Sequence, residues 1–171
     1  MSVDSILGAG FKYHVDVLNK GQVTQPALET NIMPQVGVDF IASLIRGSGA
    51  SPTANWFIGV FEGNFTPTDA TTASDLQNSI LESVAYDEGQ RPSWNNSYDG
   101  TSVISNAASR AEFTFNQDKT IFGAFVISNQ TKGGTGGTLL SIARFSSPRS
   151  VESGSILRVT AGLILTPTGN L

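Results

Sequence analysis

The chain has no cysteine, which excludes a disulfide framework, a thiol nucleophile and a thiolate metal site. It has a single histidine, His14. Charge is scarce, at 14% of residues against about 25% in ordinary soluble domains. Within that small set, 10 Lys and Arg stand against 14 Asp and Glu, a net charge of −4, and no basic cluster forms. Nucleic-acid binders carry a concentrated basic footprint, so direct genome binding is not expected. No apolar run approaches the roughly 20 residues that cross a bilayer. The stretch Met1 to Gly10 lacks the basic start and the apolar length of a signal peptide. The expectation is a protein made in the cytoplasm, with no membrane segment and no cofactor.

What the chain does contain is short apolar runs between Gly, Pro, Ser and Asn clusters. A length of 171 residues suits one domain, and a chain of about that size buries roughly 70% of its unfolded surface. Residues 11–18 alternate, with Phe11, Tyr13, Val15 and Val17 on one side and Lys12, His14 and Asp16 on the other. That period of two marks a half-buried strand, ended by the turn Asn19-Lys20-Gly21. Between Met33 and Ile45 the period changes. Val36, Phe40, Ile41, Leu44 and Ile45 share a helical face, Pro34 suits a first turn, and Gly47 suits a left-handed stop.

Asn55–Phe61 reads as a dense apolar strand, Ser79–Tyr86 as a further strand, and Thr101–Ile104 and Arg110–Phe115 as short ones. Ile121–Ile127 is apolar throughout and predicts a central strand covered on both faces. Thr138–Phe145 follows a glycine-rich hairpin, Lys132–Gly137. A turn is expected from Pro148 to Gly154, and Leu157, Val159, Ala161, Leu163 and Leu165 share the buried face of a last strand. The sum is an all-β fold: an antiparallel β-sandwich, jelly-roll-like, of eight or nine strands with one short helix near the N-terminal third. Residues 1–171 form a single domain on this reading, with 1–10 as an extended arm. Ile58, Phe113, Phe125, Leu140 and Val159 are expected in the core.

Reactive constellations are poorly represented. His14 lies on the polar side of its strand and no Gly-x-Ser-x-Gly elbow accompanies it, so a solvent-facing histidine is the expectation. The Lys132-Gly-Gly-Thr-Gly-Gly137 run lacks the Lys-Ser/Thr and the following helix of a phosphate loop, and reads as a mobile hairpin. Asp69, Asp75, Asp87, Glu88 and Asp99 have no calcium-loop spacing and read as turn and cap residues. Nothing in the spacing of Glu82 and Glu88 places them in one cleft. No catalytic and no metal-binding residue is assigned.

The candidate interface residues are Arg91, Trp94, Tyr98, Lys132 and Thr135, because arginine and aromatics in irregular loops are enriched at binding hot spots. For Trp94 a second reading stays open: a plug at one end of the sandwich. If Arg91 and Trp94 make the contact, truncating either is expected to weaken attachment and spare the isolated fold.

A resemblance extends across much of the chain. Trp56-Phe-Ile-Gly-Val-Phe61, Phe65-Thr-Pro-Thr-Asp-Ala-Thr71 and Arg91-Pro-Ser-Trp94 resemble a family of small structural proteins of tailed bacteriophages. The pattern continues in order through Phe113-Thr-Phe115, Gly123-Ala-Phe-Val126, Thr131–Leu139, Ala143-Arg-Phe145 and Val151–Val159, with Ser155 at a place usually acidic. It covers about Asn55 to Leu165; residues 1–54 carry none of it. The resemblance implies a virion component, a decoration or cement protein on the capsid exterior. Its partners would be the major capsid protein lattice and further copies of itself as a dimer or trimer. The alternative is a tail, baseplate or head-fibre component that binds a receptor or glycan, with Trp94 and Tyr98 stacking on sugar rings.

Overall fold

The computed structural model describes residues 8–49, 51–53 and 55–166. Nine strands and one α-helix occur among them, in two antiparallel sheets that face each other. The first sheet is built on β9 (Ile156–Thr166). β1 (Gly8–Asn19) pairs along one edge of it, and β5 (Val103–Ser105) and β6 (Ala111–Thr114) pair end to end along the other. β2 (Gln22–Thr30) extends the sheet beyond β1, and β4 (Ser97–Tyr98) beyond β5. The second sheet has the order β3 (Phe57–Phe61), β7 (Lys119–Ile127), β8 (Leu139–Val151). The all-β sandwich expected from the alternating runs is what forms.

The two sheets bury one core between them. Tyr13, Val15, Phe113, Leu157 and Val159 meet Ile58, Val60, Ala124, Val126 and Phe145. The Tyr13 hydroxyl crosses the gap to donate to Ser141 (3.0 Å), and burial pushes its phenol pKa well above the ordinary value. A second core lies on the outer face of the smaller sheet. There Phe57, Phe61, Phe125, Ile127, Leu139 and Ile142 are roofed by Ala73, Leu76 and Ile80 of the long connection after β3. Two-sided burial explains the unbroken apolar run Ile121–Ile127, which is the central strand expected. All five residues named for the core, Ile58, Phe113, Phe125, Leu140 and Val159, are buried.

Helix α1 (Gln35–Arg46) begins after Pro34, which stands one place before the first turn, and ends at Gly47 in the left-handed region (φ 63°). The Gln35 N–H donates to the carbonyl of Asp69 (2.9 Å), so the roofing loop holds the helix start. Glycine inside a helix costs about 1 kcal/mol relative to alanine, and Gly37 has a packing reason. A Cβ there would lie 2.6 Å from the Leu140 carbonyl, so the helix rests directly on β8. Ile45, expected on the packed face, is 82% exposed.

Three expectations need correction. Ser79–Tyr86 is not a strand: it follows the free edge of β3 irregularly, with isolated bridges Phe61–Glu82 and Tyr86–Phe115. The expected turn at Pro148 is strand, because β8 has no regular strand partner on one side there and proline loses no ladder bond. Of the expected N-terminal arm, Gly8–Gly10 belong to β1 and the remainder lies outside the described residues.

The sequence pattern gives no sign of β2, and its inverted faces explain why. Register puts Thr24, Ala27 and Glu29 on the face shared with Val17, Val15 and Tyr13, and puts Val23 and Leu28 outside. The inward Glu29 is buried against Arg149 (2.7 Å) and also accepts from Ser146 N (2.8 Å). Nearby, the Gln25 amide donates to Ser150 O (3.0 Å) and accepts from Ser150 N (3.3 Å), taking the place of a strand partner. An inward charge and a proline, Pro26, on an edge strand both discourage pairing with another chain.

Candidate functional site

A depression of about 580 Å³ lies where α1 meets one end of the sandwich. One wall is Phe40, Ile41 and Leu44 of the helix; the other is Trp56, Ile104 and Leu163. Phe40 and Trp56 meet edge to face at 5.2 Å between ring centres. The rim is formed by Thr53, Asn55, Ser93, Asn95 and Asn96, and among the described residues no charged one lines the groove. A shallower cleft of about 550 Å³ adjoins it, shares Thr53 and Asn55, and continues along Ser128 to Thr131.

Trp94 forms part of the groove floor and is 6% exposed. Its indole N–H donates to Ala161 O (2.8 Å) and its ring packs on Phe11 at 5.7 Å. The plug reading describes it; as an interface anchor it is corrected, since almost none of its surface is left for a partner. Trp94→Ala is therefore expected to destabilise the isolated protein by about 3–5 kcal/mol, measured by urea unfolding. An unchanged midpoint would restore the interface reading.

Arg91 needs the same correction. At 2% exposure it lies inside, donating to both Glu82 oxygens at 2.7 Å, to Asn129 O (2.8 Å) and to Gly134 O (2.6 Å). Its guanidinium also sits 5.5 Å from the centre of the Phe125 ring. Glu82 in turn accepts from Gly133 N (3.0 Å). Lys132 donates to Tyr86 O (2.7 Å) and Glu88 O (2.8 Å) across the Tyr86 ring. The glycine-rich segment is thus the β7–β8 hairpin connection, but a tethered one. Lys132 is committed to these bonds, whereas Thr135 is exposed on the same loop.

Tyr98 is 58% exposed. Register places it beside Ile104, itself paired with Leu163, so it stands on the groove side of the sheet, one strand out. The structure therefore splits the sequence candidates. Trp94 and Tyr98 go to the groove end, while Arg91, Lys132 and Thr135 go to the hairpin. Trp56 and Phe40, the half-buried aromatics of the groove, carry only a strand and a helix signal in the sequence pattern. Their single sign in the sequence is aromatic side chains flanking a Ser/Thr/Asn-rich loop.

Four of the five loop carboxylates, those of Asp75, Asp87, Glu88 and Asp99, have structural partners. Asp75 caps Thr72 N (2.8 Å), and both oxygens of Glu88 accept from Thr114 N at 3.1 Å. The Asp99 carboxylate accepts from Val103, Thr101 and Ser102 N–H groups, which hold its pKa well below the usual carboxylate range. Asp16 lies between Arg158 (2.6 Å) and Arg110 (2.7 Å), with His14 3.9 Å away. Among the described residues no group of three or more His, Asp or Glu is placed to hold a metal ion. No helix there is long and apolar enough to cross a membrane.

No protein-family model matches the chain, and no curated protein matches it.

Proposed function

We propose that this is a structural protein of a tailed-bacteriophage virion, a decoration protein that cements the outside of the capsid shell. The observation that carries the reading is an apolar stripe on α1 that no other described residue covers. Val38, Ala42 and Ile45 follow one another at helical spacing and all three are exposed, on a different side of the helix from Phe40, Ile41 and Leu44. The stripe falls in residues 1–54, outside the family resemblance, whereas Trp56–Phe61, Arg91–Trp94 and Gly123–Val126 supply core strands, a buried ion pair and an end plug. On this reading the resembling residues build a rigid carrier and the helix presents the contact.

Cementing then works by linkage. Each copy binds neighbouring shell subunits only at their mature spacing, so separating them loses that binding free energy. A dimer or trimer would match a two-fold or three-fold position and engage its sites together. The test adds purified protein to stripped heads and follows DNA release against temperature. Wild-type protein is expected to attach and raise the release temperature. The double variant Val38→Glu/Ile45→Glu is expected to melt normally and fail to attach. Attachment without any rise in release temperature would rule out the cementing role, and labelling confined to tails would move the protein to the tail.

A further inference from the structure

We propose that the groove between α1 and the sandwich, together with its adjoining cleft, binds a neutral oligosaccharide. This goes beyond shell attachment and uses a different side of α1.

The lining selects for charge. None of the described residues along the groove or the adjoining cleft carries one, whereas the polar clusters around Asp16, Glu29 and Glu82 are built on ion pairs. An ionic ligand entering here would lose water without gaining a countercharge. A purely apolar ligand would leave the amide and hydroxyl rim without partners. A pyranose fits both halves, because its C–H face packs on an aromatic ring while its hydroxyls exchange hydrogen bonds with amides.

The supply of each half is visible. Trp56 is only partly buried, and its indole meets the Phe40 ring at 82° and 5.2 Å, which fixes it as one wall. On the rim, Asn96 Nδ2 donates to Trp94 O (3.1 Å), and Asn95 reaches Ser109 only at 3.4 Å. The exposed side chains of Asn55 and Ser93 make no hydrogen bond to another described residue. The floor is rigid because Trp94 is tied to Ala161 beneath it. Thr53 and Asn55 belong to both depressions, so a chain of two or more sugars can run from the Trp56 wall toward Asn129 and Gln130. The sugar-stacking role expected of Trp94 therefore passes to Trp56, which lines the same groove.

The experiment titrates the full chain with maltotriose, as a neutral hexose, with chitotriose, as an N-acetylated one, and with trigalacturonate as the anionic control. Intrinsic tryptophan fluorescence and calorimetry provide the readouts. At least one neutral trimer is expected to saturate, with affinity falling roughly tenfold in Trp56→Leu. If that variant misfolds, Asn55→Ala at the exposed rim serves instead, since it leaves the core untouched. Three results would overturn the proposal. One is no saturation by either neutral trimer at concentrations on the order of 10 mM; another is equal binding of the anionic trimer. The third is full affinity in a folded Trp56 or Asn55 variant. Shell attachment is read separately on heads, so either idea can fail alone.

Discussion

Arg91→Ala is expected to lower the stability of the isolated protein by about 3–5 kcal/mol, because it strands the Glu82 carboxylate in a buried site. Neither side chain has appreciable exposure (0% and 1%), so water cannot replace the lost partner. The loss extends past the pair. Arg91 also donates to Asn129 O and Gly134 O, and Glu82 accepts from Gly133 N, so one deletion unfastens the hairpin at both flanks. Replacing both partners with apolar residues, as in Glu82→Leu/Arg91→Met, removes the stranded charge and is expected to recover part of the loss. Full recovery is not expected, because the loop carbonyls stay without their donor. Urea unfolding of the two singles and the double gives the coupling energy, and hydrogen exchange at residues 129–134 reports the loop. A single variant with an unchanged midpoint would show that the pair contributes nothing net.

The strands that could be read were those whose two faces differ, or whose two faces are both apolar. β1, β6 and β9 show the alternation, and β7 shows the unbroken run that two-sided burial requires. β2 escaped because its inward positions are Thr24, Ala27 and Glu29, a pattern that makes sense only once Arg149 is brought against it. Arg149 is 120 residues away in sequence, and spacing carries no information about such a partner. Ser79–Tyr86 failed for the opposite reason: Ile80 and Tyr86 are apolar for the roof and the core, not for a ladder.

The candidate site shows the same limit. Arginine and tryptophan in an irregular loop have one composition whether they face a partner or the interior. What decides the matter is Glu82, nine residues upstream, and the carbonyls of a hairpin some forty residues downstream. The groove was harder still to anticipate, since its walls come from α1, the β3 approach and the β9 end. The position of α1 on β8 depends on Gly37, a residue that a helix pattern counts as a weak point.

Gly59→Ala and Gly123→Ala are both expected to be severe, and their rescue is expected to differ. The two glycines sit in reciprocal cross-strand pairs, Gly59 opposite Phe125 and Phe61 opposite Gly123, each covered by the facing ring. A Cβ on Gly59 would lie 2.1 Å from the tip of the Phe125 ring, and its three nearest neighbours are all atoms of that one side chain. A Cβ on Gly123 would meet the Phe61 ring at 2.1 Å and also the Ala143 carbonyl oxygen at 2.2 Å. Overpacking of this kind typically costs about 1–3 kcal/mol and more where nothing can move. Phe125 is fully buried, with the Arg91 guanidinium near its ring, so it has little freedom to turn away. In the Gly59→Ala background, Phe125→Leu removes the obstructing ring and is expected to return much of the lost stability, less the cost of the smaller core residue. In the Gly123→Ala background, Phe61→Leu removes only one of two obstacles, because a backbone carbonyl in the β7–β8 ladder cannot be trimmed. Urea midpoints of the four variants settle the matter. Equal rescue in both backgrounds would mean that β8 shifts to admit a methyl group, and that the close approach at Gly123 is not what holds the smaller sheet together.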